Sequence, residues 1–162
     1  MIVIADTSPL NYLIQINCDS LLLQLYGKIA VPSGVMQELG HPDAPAAVRI
    51  WLMHLPGWIE VCLTSSMPDE GLGFLDLGER EAIQLAEERQ ADLLLIDERK
   101  GRLEAKRCGF RTTGTLGVLL SAGELKLIDP VAAYRRLLNE TTFRTSAALE
   151  AQFLGQLNIS RL

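Results

Sequence analysis

The chain has 162 residues, 48 % apolar and 22 % charged, the balance of one globular domain able to bury a core without disulfide or metal staples. Aromatic residues are only 6 %, which argues against an extended stacking surface for single strands, and no apolar run approaches the roughly 20 residues that span a bilayer. The net charge of −5 is unevenly spread: residues 1–97 hold four basic against fourteen acidic side chains and residues 98–162 eleven against six, which reads either as ordinary solvation or as an acidic site beside a basic surface.

The predicted elements begin at once. Met1 to Pro9 lacks a basic n-region and reaches Asp6 almost immediately, so it reads as a strand, Ile2-Val3-Ile4-Ala5, and not as a signal peptide or anchor. Helical patterns follow over Leu10 to Ile16 and Leu21 to Leu25, with Ser8 placed to cap a helix whose first residue is Pro9. A second strand is predicted at Ile29-Ala30-Val31, then helices over Val35 to Leu39 (capped by Ser33, stopped by Gly40 and Pro42) and Ala46 to Leu52. Ile59 to Cys62 reads as a third strand, and Thr64 to Gly73 as a long surface loop. A helix over Glu79 to Glu88 leads to a fourth strand, Leu93 to Ile96, and a helix over Leu103 to Arg107 to a fifth, Phe110 to Thr112. Helices over Leu116 to Ala122, Val131 to Leu138 and Ala147 to Leu157 (with limits of about 146–160 for the last) complete a domain spanning 1–162. The first and fourth strands are continuously apolar, so both faces are covered, and strand–helix alternation predicts a three-layer α/β/α sandwich around a parallel sheet. Cys18, Cys62 and Cys108 are an odd set without a close pair, which fits a reducing cytoplasm better than a disulfide framework or thiolate zinc site.

The carboxylates carry the functional argument. Asp6 ends the first strand and Asp97 the fourth; with strand order 3-2-1-4-5 these strands are neighbours at the switch point, where open parallel sheets bind ligands. Alone, each is equally a turn or cap residue. Glu79 shares the face of Ala82, Ile83 and Ala86, so its carboxylate sits atop a buried stripe, unless it serves only the helix dipole. Glu38 lies three residues after Val35 in a short helix. Two like charges about 5 Å apart repel by roughly 3 kcal/mol at an effective dielectric near 20, so four such acids in one crevice call for a cation. Hard oxygen ligands select Mg²⁺ or Mn²⁺, which lower the pKa of a bound water and neutralise phosphodiester charge.

These residues resemble the PIN-domain superfamily of metal-dependent ribonucleases, and within it the VapC-like toxins. The resemblance rests on Ile4-Ala5-Asp6-Thr7-Ser8-Pro9-Leu10, Pro32-Ser33-Gly34-Val35 through Glu38, Leu77-Gly78-Glu79 into Glu81-Ala82-Ile83, Leu94-Leu95-Ile96-Asp97-Glu98 with Gly101-Arg102, Gly114-Thr115-Leu116-Gly117, and Phe143-Arg144. It covers residues 1 to 145. It implies endonucleolytic cleavage of RNA with the 3′ oxygen as leaving group, catalysis by Asp6, Glu38, Glu79 and Asp97, and metal ligation by Asp6, Glu79 and Asp97 with Glu98 outside them. Glu79 departs from the aspartate that many relatives carry. The family also implies a small antitoxin as partner; a homodimer is expected besides, with a dimer or antitoxin contact as the second role of the last helix, and an inactive PIN-fold module that docks RNA or protein is the alternative.

Arg99, Lys100 and Arg102 stand at a predicted helix start, where basic groups oppose the macrodipole; phosphate binding accounts for them, as does a solvated face with a Lys100–Glu104 pair. Thr7, Ser8 and Thr115 are placed to orient water or phosphate, although capping alone accounts for Ser8 and Thr115. His41 and His54 lack partners at metal-ligand spacing. The last helix is amphipathic, with core packing as its first role. A receiver-like signalling domain is disfavoured, because Thr7 stands where a second acid would follow Asp6, and the third strand runs into Cys62-Leu63-Thr64.

Overall fold

The computed structural model describes residues 1–65 and 70–158. Five parallel strands, β1 (Val3–Ala5), β2 (Ile29–Pro32), β3 (Ile59–Cys62), β4 (Leu93–Leu95) and β5 (Thr112–Thr113), pair in the order β3-β2-β1-β4-β5. This is the predicted order. Val3 lies opposite both Ile29 and Leu93, and Ala5 opposite Leu95. β5 is shifted from the predicted 110–112, because Phe110 is still bonded back to Ala105 at the end of the preceding helix.

Alternation along the strands divides the core in two. Val3, Ala5, Ile29, Val31 and Leu95 face one apolar cluster, and Ile4, Ala30 and Leu94 face the other. The first layer contains α1 (Thr7–Gln15), α2 (Ser20–Tyr26), α3 (Ser33–Leu39), α4 (Ala46–Met53), α7 (Thr115–Glu124), α8 (Pro130–Glu140) and α9 (Ala147–Gln156). The second contains α5 (Leu77–Arg89) and α6 (Arg99–Arg107). The chain therefore leaves β1 toward one layer and β4 toward the other. That divergence opens a crevice beyond the carboxyl ends of these two strands.

Several helix starts differ from the sequence reading. α1 begins at Thr7 with Asp6 as its N-cap, so Ser8 lies inside the first turn. Ser33 and Thr115 are likewise first helical residues, following Pro32 and Gly114. α5 starts at Leu77, with Gly78 inside it. α3 packs closely against the head of α5: Gly34 has no Cβ to hold the two apart, and its N–H donates to Glu81 Oε2 at 2.6 Å. Glu104 pairs with Arg107 at 2.5 Å in place of Lys100.

The predicted loop contains a 3-10 turn at Glu70–Leu72, while its positions 66–69 lie outside the described residues, as does the predicted end of the last helix beyond 158. Phe153 and Leu154 of α9 are buried in the core, with Phe153 packed 4.8 Å from the Tyr134 ring. No helix among the described residues is long and apolar enough to cross a membrane.

Candidate active site

Asp6 occupies the crevice directly. Its N–H donates to Leu95 O at 2.9 Å, extending the β1–β4 ladder by one residue and fixing the side chain at the strand end. The residue is 3 % exposed and its Oδ1 has no hydrogen-bond partner. Burial pushes its carboxyl well above the ordinary aspartate range; the Thr7 N–H opposes this, and the charges of Glu79, Asp76 and Glu38 add to it. Asp6 thus lies within electrostatic reach of three other acids.

Glu79 is set by the head of α5. Asp76 is the N-cap, and the two residues form a reciprocal capping box: Asp76 Oδ1 accepts from Glu79 N and Glu79 Oε2 accepts from Asp76 N, each at 3.4 Å. Ala82, Ile83 and Ala86 on the same face are fully buried, so the predicted orientation holds and Glu79 itself is only 5 % exposed. Burial, reinforced by the charge of Asp76 and more weakly by Glu98, raises its pKa to about 7.

Glu38 reaches the same place from α3. Its Oε1 accepts from Gly78 N at 2.8 Å and its Oε2 from the Thr7 hydroxyl. Thr7, expected beside a phosphate or water, therefore holds a carboxylate.

Asp97 follows β4 and is half-buried. Thr115 grips it twice, through N–H to Oδ1 at 2.7 Å and hydroxyl to Oδ2 at 2.6 Å. Burial raises the Asp97 pKa; the two Thr115 bonds and nearby Arg102 oppose this. Thr115 is fully buried, so its hydroxyl serves Asp97 and does not face a substrate. Glu98 is exposed as the N-cap of α6, and Arg99 is exposed in its first turn. Ser8 and Arg102 share the wall of a groove with Asp97. His41 and His54 are exposed on the surface.

The fold gathers Asp6, Glu38 and Glu79, adds Asp76, and brings Asp97 and Glu98 to the adjoining strand end. It does not close them into a cage. Among the described residues no three His, Cys, Asp or Glu side chains are arranged to hold a metal ion. The physical reason is local: Glu38, Glu79 and Asp97 each turn to nearby donors, which separates like charges, while Asp6 Oδ1 is buried without a hydrogen-bond partner. The donor set fits a hard dication all the same. It is all oxygen, and its innermost member has a buried lone acceptor that a cation would satisfy.

Asp76 is the residue that the sequence reading missed. Its signal is the spacing of Asp76 and Glu79, an N-cap and a residue three on, which is the pattern of a capping box.

A parallel sheet in this order, with acids collected outside its central strands, is the architecture of a PIN domain. The PIN-domain family model matches residues 2–158, and the chain belongs to that family. PIN domains are in general nucleases and typically use divalent metals. No curated protein matches the chain.

Proposed function

We propose that this protein is a divalent-metal-dependent endoribonuclease of the toxin type, with Asp6, Glu38, Glu79 and Asp97 as its catalytic acids. The observation that carries the reading is the buried Asp6 Oδ1, unpartnered and surrounded by the charges of Glu79, Asp76 and Glu38. Asp6, Glu79 and Asp97 would hold Mg²⁺ or Mn²⁺, with Glu98 outside them. The ion supplies charge neutralisation on the phosphodiester and a water of lowered pKa. The chain's own residues do the positioning. Thr7 and Gly78 fix Glu38, Thr115 fixes both oxygens of Asp97, and the Asp76 cap fixes the head of α5. The bond formed joins water oxygen to phosphorus, and the bond broken is to the 3′ oxygen of the RNA.

Ile50 and Met53, exposed apolar side chains three residues apart on α4, support a protein contact there, for a small antitoxin or a second copy in a homodimer. The reading places the protein in the cytoplasm. A second reading, a PIN-fold module that docks RNA or protein without turnover, is favoured by one observation: the carboxylates are engaged with protein donors and form no closed cage among the described residues. Incubating the protein with single-stranded RNA and Mn²⁺ separates the two. Cleavage that EDTA and Asp6→Asn both stop supports the nuclease; binding without cleavage in Mn²⁺ contradicts it.

A further inference from the structure

A groove of about 800 Å³ runs from Asp97 between α6, α7 and α9 to the segment that joins α8 to α9. Its volume suits a ligand much larger than a metal ion. Its wall places Arg102 and Lys106 four residues apart on one face of α6, and Arg144 on the α8–α9 segment. None of these three cations makes an ion pair among the described residues, in contrast to Arg89, Arg107 and Arg136.

The aromatic part of the wall is Tyr12 and Phe143, in edge-to-face contact with ring centroids 5.2 Å apart. Tyr12 is one helical turn beyond Ser8, so the pair adjoins the acid crevice. Both rings are half-buried and retain exposed surface.

The α8–α9 segment has no regular structure, yet it is tied down at both ends. The Thr141 hydroxyl donates to Leu137 O and accepts from Phe143 N, while the Tyr134 hydroxyl contacts Thr145 Oγ1 at 3.1 Å and Glu150 Oε2 at 2.9 Å. Ser146 then caps α9 through Leu149 N. These bonds hold Phe143 and Arg144 in place, which lowers the ordering cost of a ligand bound against them.

We propose that this groove is a binding subsite for single-stranded RNA on the Asp97 side of the crevice: Arg102, Lys106 and Arg144 take backbone phosphates and the Tyr12–Phe143 pair takes one base. The inference rests on the nuclease reading for its choice of ligand. A duplex does not fit the arrangement, because a base can lie on Phe143 only when it is free of a complementary strand. One aromatic pair holds one base, which sets the register of the strand over the acids.

The test is binding by fluorescence anisotropy, in EDTA, of a labelled twelve-nucleotide single-stranded RNA of mixed sequence to the full chain. Arg102→Gln with Lys106→Gln is expected to weaken binding about tenfold or more and to lower the salt dependence by about 1.4, at about 0.7 per single-strand phosphate contact. Phe143→Leu, which keeps apolar volume, is expected to weaken binding about tenfold. Arg144→Gln lies on an exposed side chain, leaves folding intact and weakens binding severalfold; Arg136→Gln, outside the groove, leaves it unchanged. Wild-type binding that these groove variants do not alter, or equal affinity for a duplex, overturns the proposal. An acidic peptide that shows this variant dependence while RNA does not overturns it in favour of a protein occupant. Adding Mn²⁺ keeps the two ideas separate: cleavage without groove dependence overturns the subsite alone, and groove-dependent binding without cleavage supports the subsite while overturning the nuclease reading.

Discussion

Gly78 and Glu38, forty residues apart, meet at 2.8 Å through the Gly78 N–H and Glu38 Oε1. A Cβ at position 78 would stand 2.5 Å from Glu38 Oε2 and 2.9 Å from Thr7 Oγ1. Glycine is thus what lets α5 approach the carboxylate. Gly78→Ala is expected to lower stability by about 1–3 kcal/mol, because Glu38 must give up its bonds from Gly78 and Thr7, a loss that the roughly 1 kcal/mol helix preference of alanine offsets only in part. Cleavage is expected to fall at least tenfold, because Glu38 is displaced. Denaturation curves and RNA cleavage rates on the same samples check this, and full activity would contradict the role given to Glu38.

Thr115→Val removes one of the two donors that hold Asp97 while keeping the side-chain shape. Loss of a hydrogen bond to a charged group is expected to destabilise the protein by about 1–3 kcal/mol. Thr115 lowers the Asp97 pKa, so its loss moves that pKa further up. The acid limb of the pH–rate profile therefore shifts to higher pH. A profile that moves down or stays in place contradicts the assignment.

Much of this arrangement is readable in the sequence, for identifiable reasons. Two continuously apolar runs, each ended by an aspartate, specify β1, β4 and their shared crevice, because only a doubly covered central strand lacks polar alternation. The face of Glu79 follows from the spacing of Ala82, Ile83 and Ala86. What was not legible depends on contacts between distant segments. Thr115 reads as a cap until the fold sets it against Asp97, eighteen residues earlier. Gly34 reads as one residue of a short helix until the fold sets it against Glu81, forty-seven residues later. The Lys100–Glu104 spacing is as good as that of Arg107 with Glu104, and only the packed structure chooses between them.

Asp6→Asn removes the most buried charge of the cluster. In the absence of divalent ions the variant is expected to be at least as stable as wild type, because the neutral amide escapes both the burial penalty and the repulsion of Glu79, Asp76 and Glu38. Mg²⁺ or Mn²⁺ at about 100 times its dissociation constant is expected to stabilise wild type by about 2.7 kcal/mol and the variant little. Thermal melts with and without the ion measure both effects; an equal response of the two proteins would contradict Asp6 as a ligand.

The metal-free protein has a pH dependence of definite sign. The Glu79 pKa is about 7 in the folded chain and that of Asp6 is also raised, so between the unfolded value of 4.5 for Glu79 and about 7 the native state holds more protons than the unfolded one. The contribution of Glu79 to stability is therefore fully favourable below the unfolded value, declines as pH rises toward 7, and is flat above it. Glu79→Gln removes this titration, so its advantage in melting temperature over wild type is expected to be larger at pH 8 than at pH 5. A smaller advantage at pH 8 would reverse the sign.

The most direct measurement is a crystal structure of the protein soaked in Mn²⁺, read by anomalous scattering. A peak bound to the Asp6 carboxylate is expected, with Glu79 or Asp97 released from its present donors and joined to the same ion at a distance of about 2.0–2.6 Å. A fully soaked crystal with no peak at Asp6, its Oδ1 still unpartnered, would contradict that expectation.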